Sequence, residues 1–354
     1  MPKTYRKRVY IGTVNGVKKY KAVYGQTKKE AQQRAASVKA DLHKGLDVTR
    51  GSDTVAEWTD MYVAHKKPTL TPGTCRALDA FGRTLKSQLG DRKINAVKLV
   101  HVQSAVNDYT FSDPQHPLIK DSVENYRKFI RAVFQFAIDN DAIAKNPADK
   151  VVVPHSAPSR QRTALDPRTR AAVESFAHPM QFPALVMMYS GLRRGELLAL
   201  LWSDVDLANA TITVSKSREH YTGAIKAPKN GKTRTVTIPQ KLVATLKAAP
   251  HRGPRVVDSA PYDPPLSPKS WDWHWYEYQR DLHTAFPDAM HFTAHQLRHT
   301  FCTLLYEAGV DVMVAQEQMG HASPAMTLGI YTTLRKEHAD ENLSKLDAYL
   351  DKLQ

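Results

Sequence analysis

The sequence predicts a multidomain α+β protein: a small basic sheet-plus-helix module, an all-α domain, and a mainly α domain holding a small antiparallel sheet. Three observations carry this. Residues 5–24 are rich in β-formers around Asn15-Gly16, and residues 27–44 then read as one helix. Residues 51–150 place apolar side chains at spacings of three and four in successive segments separated by Gly, Pro or Asp. Residues 163–335 return to that helical period but are interrupted by TITVSK and TRTVTIP, which alternate like strands.

Each element follows in order. In the first module, residues 1–50, Thr27 caps the helix and Glu30 stands at its third position. That module holds 13 Lys and Arg against 3 Asp and Glu, a local +10 within a chain of 354 residues whose net charge is +15. So basic a unit of about 50 residues buries little by itself, and its strands read as a ligand-facing surface or a solvated tail. In the second domain, residues 51–150, four helices are expected from TVAEWTDMYVAHK, TPGTCRALDAFGRTLKSQLG, NAVKLVHVQSAVNDYT and SVENYRKFIRAVFQFAIDNDAI. The last puts Val123, Tyr126, Phe129, Ile130, Val133, Phe134 and Ala137 on one face, with Arg127, Lys128 and Arg131 close by. Such a domain can serve a DNA groove or be a plain bundle. Residues 151–162, in ADKVVVPHSAPSRQR, read as a linker, and helices are expected near 166–177, 181–190, 240–249, 270–285, 293–308, 311–319 and 324–330. WDWHWYEYQ places Trp271, Trp275 and Tyr278 at helical spacing, as a core stripe or a stacking platform.

The third domain, residues 163–335, concentrates its polar constellations at element junctions. In MMYSGLRRGELLALLW, Gly191 closes one helix and the leucines that follow bury the next, leaving Arg193 and Arg194 at the join and Glu196 near enough to orient them. An arginine fork donates two parallel hydrogen bonds to an oxyanion, so the join is an anion site or a solvated charged corner. IKAPKNGKTRTVTIP carries an Asn230-Gly231 hairpin signal that projects Lys229, with Lys232 just after the turn. In HQLRHTFCTLLYEAG, Thr293 and Gln296 form a capping box, setting His295 and Arg298 on one side of the first turns with His299 close to it. Gly320 ends a further helix, His321 occupies the turn, Ser323-Pro324 start a short helix, and Tyr331 stands at its end.

Taken in order, GLRRGE, PKNGK, HQLRH, MGH and IY resemble the catalytic domain of the tyrosine recombinase family, phage integrases in particular, across residues 163–335. The first two domains resemble the arm-site and core-site DNA-binding domains of that family. The resemblance implies that Arg193 and Arg298 clamp a scissile phosphate, Lys229 protonates the departing 5′ oxygen, and His295 transfers protons and positions the phosphate. It implies that His321 bonds the phosphate and supports Tyr331, which attacks phosphorus, with Glu196 and His299 in support. Lys226 and Lys232 remain alternatives for the acid. The implied partners are double-stranded DNA attachment sites, three further protomers in a homotetramer on paired DNA, and DNA-bending and excision-directing proteins. Residues 336–354 imply a helix or tail, docked on a neighbour or on its own domain.

Other classes fit less well. There is no HExxH, no cysteine cluster and no compact Asp-rich run, so no metal or other cofactor is expected, although scattered histidines leave a zinc site assembled in space open. Cys75 and Cys302 provide no disulfide framework. No apolar run of about 20 residues and no secretory leader is found, so no membrane partner is expected. A cytoplasmic, nucleoid-associated protein of a bacterial host is the expectation. A DNA-binding regulator that does not cut would have no use for the late tyrosine.

Overall fold

The computed structural model describes residues 4–14, 17–48, 50–113, 115–155, 157, 163–228, 231–321, 323–337 and 351. Two compact units emerge, Met1–Arg160 and Gln161–Gln354. Among the described residues no helix is long and apolar enough to cross a membrane.

The first unit opens with antiparallel strands β1, Tyr5–Val14, and β2, Val17–Gly25, packed on helix α1, Lys28–His43. Thr27 Oγ1 accepts from the Glu30 N–H at 3.1 Å and Glu30 Oε2 accepts from the Gln26 N–H at 2.7 Å, which fixes where α1 begins. The core beneath the sheet is small, Val9 and Val23 against Ala35. On the other face the strand register sets Arg6 beside Tyr24 and Tyr10 beside Tyr20. The Arg8 guanidinium lies 4.8 Å from the centroid of the Tyr20 ring, and Tyr10 meets Tyr20 edge-on at 5.6 Å. Asn15 and Gly16, the expected turn, lie outside the described residues.

Four helices follow: α2 Val55–Lys66, α3 Pro72–Leu89, α4 Leu99–Thr110 and α5 Lys120–Asp139. All seven apolar residues on the expected stripe of α5, Val123 to Ala137, are buried. They close over Trp58, Leu85, Val102 and Val106. The neighbouring charges are partly neutralised, Arg127 by Glu124 at 2.6 Å and Arg131 by Asp149 at 2.9 Å.

In the second unit α6 is Pro167–Ser175, α7 Gln181–Ser190 and α8 Arg194–Leu197. Strands β3 Val205–Asp206, β4 Thr211–Val214, β5 Ser217–Arg218, β6 Ile225–Lys226 and β7 Arg234–Thr237 follow. Helices α9 Gln240–Ala248, α10 Pro268–Ala285, α11 Ala294–Glu307, α12 Val312–Met319 and α13 Pro324–Glu337 complete it. The larger sheet runs β3-β4-β7, all antiparallel, and β5-β6 form a separate ladder. Trp271 and Tyr278 of α10 are buried and Trp275 packs on the same core, so that aromatic stripe is structural.

Three expectations change. The helix after Arg193 is one turn long, because Leu200 O accepts from the Val256 N–H at 3.0 Å and Leu201 bridges to Arg255, which takes the backbone into extended pairing. The strands flanking Asn230-Gly231 do not pair with each other among the described residues: Gly231 N–H donates to Pro228 O at 2.8 Å and Asn230 lies outside the described residues, but β7 pairs with β4, and β6 pairs with β5 across a turn at residues 219–224. There the Glu219 carboxylate accepts from the N–H groups of Tyr221 at 2.7 Å and Thr222 at 2.6 Å, doing what an Asn-Gly pair does elsewhere. Tyr331 is inside α13 and not at its end, since the sequence after it contains no breaker. Lys229, part of the linker and most of residues 336–354 lie outside the described residues.

Candidate active site

Four chain junctions build the site. Gly191 ends α7 with φ of 63°, a left-handed conformation suited to glycine, and a Cβ there would stand 2.5 Å from Phe301 Cδ1. That close approach seats α11 against the end of α7. Arg193 precedes α8, and Glu196 on the first turn of α8 accepts from the Arg193 N–H at 2.9 Å. Gln296 accepts from the Thr293 N–H at 3.0 Å, setting the start of α11. Gly320 ends α12 with φ of 59° and delivers His321 into the turn before α13.

These junctions converge on one buried carboxylate. Glu196, 2% exposed, accepts from Arg193 at 2.8 Å and from both terminal nitrogens of Arg234 at 3.1 and 2.7 Å. Arg298 Nη1 is 4.0 Å from it. Arg298 also donates to the carbonyls of Gly191, at 2.6 Å, and Met319. Arg193 donates to Gly320 O at 3.1 Å, and Arg234 Nε to Gln318 O at 3.0 Å. Every one of these guanidiniums is therefore held by backbone or carboxylate oxygens.

The charges shift one another. Glu196 titrates near 2: burial alone would raise it, and the Arg234 and Arg193 hydrogen bonds and charges overcome that. Burial, then repulsion from Arg193, pushes Arg298 down to about 9. Burial first, then the positive charges of Arg298 and Arg193, lowers His321 to about 4, so its ring is neutral near pH 7. His321 Nδ1 shares a 2.7 Å hydrogen bond with Thr327 Oγ1 of α13. One carboxylate among three guanidiniums leaves a positive pocket that suits an oxyanion.

Tyr331 stands on the next helix. Its ring meets Tyr306 edge-on at 5.0 Å, and its hydroxyl donates to Val310 O at 3.1 Å. Burial, then Cys302 and Asp311, raises the phenol to about 12. His295 is exposed on the first turn of α11 and contributes to the positive field at His321. His299, half-buried, has an Nδ1 with no hydrogen-bond partner among the described residues, and burial lowers its basicity. Lys226 is exposed on β6, and Lys232 is exposed before β7.

The structure therefore brings Arg193, Glu196 and Arg298 into one cluster, with His321 within their field, and holds the Tyr331 hydroxyl against the α11–α12 connection. Sequence reading missed Arg234. Its signal was the strand period, since Arg234 is in phase with the buried Val236 and Ile238 and so had to point inward. Among the described residues no group of three or more His, Cys, Asp or Glu could hold a metal ion.

Comparison with known proteins agrees with this architecture. Residues 167–338 match the phage integrase family. A curated relative, the tyrosine recombinase XerC-like protein of Caldanaerobacter subterraneus subsp. tengcongensis, is 26% identical, with 97% of this chain and 96% of that one covered. The Tn1549 transposon integrase in complex with transposon right end DNA has a similar fold, with a TM-score of 0.69 and 22% identity over 83% of this chain and 99% of that one. A lambda integrase tetramer bound to a Holliday junction gives a TM-score of 0.57 and 18% identity over 86% and 90%. With the arginine cluster and the tyrosine in one domain and that domain matched along its length, residues 167–338 form a tyrosine-type recombinase domain of the phage integrase family.

Proposed function

We propose that this protein is the integrase of a phage or prophage, cutting and rejoining double-stranded DNA at attachment sites through a 3′-phosphotyrosine at Tyr331. The observation that carries the reading is the buried Glu196 with its three arginines, a positive pocket whose donors are fixed before any ligand arrives. Fixed donors stabilise a phosphorane-like transition state without reorganisation. Arg193 and Arg298 hold the non-bridging oxygens, and the Tyr331 oxygen attacks phosphorus while the bond to the 5′ oxygen breaks. Lys229 gives that oxygen its proton, with Lys226 and Lys232 as substitutes, and the phenolic proton leaves toward His295. His321, held neutral, donates a hydrogen bond to the phosphate from the ring edge opposite Thr327. His299 supports α11 beneath them. A 5′-hydroxyl of the partner strand then attacks the phosphotyrosine and releases Tyr331, so the bond energy is kept and no cofactor is consumed.

The phenol of Tyr331 stays protonated at pH 7, so its hydroxyl has to leave Val310 O and enter the arginine field before it attacks. We place residues 1–50 on arm-type sites through the outward Arg6, Arg8, Tyr10, Tyr20 and Tyr24, and residues 51–150 on the core site. Residues 151–162 link them to the cutting domain of 163–335. A homotetramer on paired DNA, bent and directed by accessory proteins at the bacterial nucleoid, completes the reading; the lambda integrase tetramer on a Holliday junction supports it by likeness of fold. A second reading, integrase of a conjugative transposon, is favoured by the likeness to the Tn1549 enzyme and uses the same site.

The test is a nicked suicide substrate carrying the cognate core site. Wild-type protein is expected to give a protease-sensitive covalent complex, and Tyr331→Phe to bind the DNA without forming it. Binding without adduct by the wild type would sink the enzymatic reading.

A further inference from the structure

We propose that Arg234 is a positioning residue for strand cleavage, registering the lysine-bearing segment before β7 against the arginines that grip the phosphate. This rests on the recombinase reading and adds to its machinery a residue that never touches DNA. Arg234 is 7% exposed and makes three hydrogen bonds inward, two to Glu196 and one to Gln318 O. Each partner leads to a different part of the site. Glu196 holds Arg193. Gln318 opens the stretch whose next two carbonyls are taken by Arg298, at Met319, and by Arg193, at Gly320, and His321 comes next in the chain. The backbone of Arg234 begins β7, paired with Val214 of β4, directly after the segment from Lys226 to Lys232.

Two further contacts make this junction specific. Thr237 N–H donates to Gln318 Oε1 at 3.2 Å, so β7 is stitched to the end of α12 twice. A Cβ on Gly320 would stand 2.8 Å from Arg234 Cδ and 2.9 Å from its Nε, so the α12 terminus lies directly on the guanidinium stem. A buried ion pair adds little stability over apolar packing of the same volume. Its geometric content is larger, because a planar fork bonded to two elements fixes the angle between them. The segment with the candidate acids lies in the chain between β6, which ends at Lys226, and β7, which begins at Arg234, so this fork fixes the residue at its carboxy-terminal boundary; Lys229 and Asn230 lie outside the described residues.

Single-turnover cleavage separates positioning from bulk stability. On a nicked core-site substrate, Arg234→Gln is expected to lower adduct formation by about 10²-fold, the usual effect of a small misplacement, with DNA affinity unchanged. Arg234→Lys, which keeps a charge opposite Glu196, should fall between. On the same DNA with a 5′-bridging sulfur at the scissile position, the thiolate departs without a proton, and the Arg234→Gln deficit should shrink to about tenfold. Equal losses on the oxygen and sulfur substrates, or wild-type cleavage by Arg234→Gln, overturn the assignment. If thermal melting shows Arg234→Gln unfolded, Arg234→Lys carries the same comparison. Wild-type protein that forms no adduct overturns the recombinase reading itself, a result distinct from either.

Discussion

Glu196 is the residue on which the candidate site turns, because a single buried carboxylate offsets three guanidiniums, two of them buried with it. Removing its charge while keeping its shape leaves cations buried without a counterion, a change that costs on the order of 3–5 kcal/mol. Glu196→Gln should therefore lower the unfolding free energy by about that much in chemical denaturation. The pH dependence follows from the same ionisation. The folded value near 2 lies below the ordinary 4.5, so the stabilisation is complete above about 4.5 and is lost as pH falls toward 2. Acid unfolding of Glu196→Gln should lack that component. An unaltered acid limb in the variant would show that the carboxylate is not ionised in the cluster. His321 acts in the same direction: with its folded value near 4 against 6.5, the unfolded chain takes up a proton first, so this histidine also weakens the fold as pH drops from 6.5 to 4.

At the scale of elements, the site is made by helix ends and not by helix bodies. Gly191 and Gly320 both close helices in the left-handed region, and both are pressed by a neighbour, Phe301 in one case and Arg234 in the other. Gly191→Ala should destabilise by about 1 kcal/mol or more, combining an unfavourable φ with a contact that α11 has to relieve. A melting temperature equal to wild type would contradict that packing. The same logic explains what could be read from sequence. Glycine stops, capping pairs and the α5 stripe act within a few residues, and those elements were legible. The one-turn length of α8 was not, because a segment more than fifty residues later takes the backbone of Leu200 and Leu201. The turn before β6 was not anticipated because a glutamate side chain, with no Asn-Gly pair, makes it. Arg234 was overlooked because arginine is read as surface, although the alternation of its strand put it inside.

At the scale of the molecule, charge and chemistry are separated along the chain. Residues 1–50 carry +10 of the net +15, and the outward face of their strands combines arginine with tyrosine. If that face meets DNA phosphates, Arg6→Gln with Arg8→Gln should reduce the slope of log affinity against log salt on arm-site DNA by about 2, each lost phosphate contact removing roughly 0.9. An unchanged slope would place the DNA elsewhere. Cutting, by contrast, is proposed for residues 163–335, where four junctions meet at Glu196 and Tyr331, the proposed nucleophile, stands on α13. The most direct test of that account is to trap the protein on a nicked core-site substrate, digest the adduct, and identify by mass spectrometry the peptide that carries the 3′-phosphoryl nucleotide. The account predicts the nucleotide on Tyr331; a nucleotide on any other residue, or cognate DNA bound with no adduct, would contradict it.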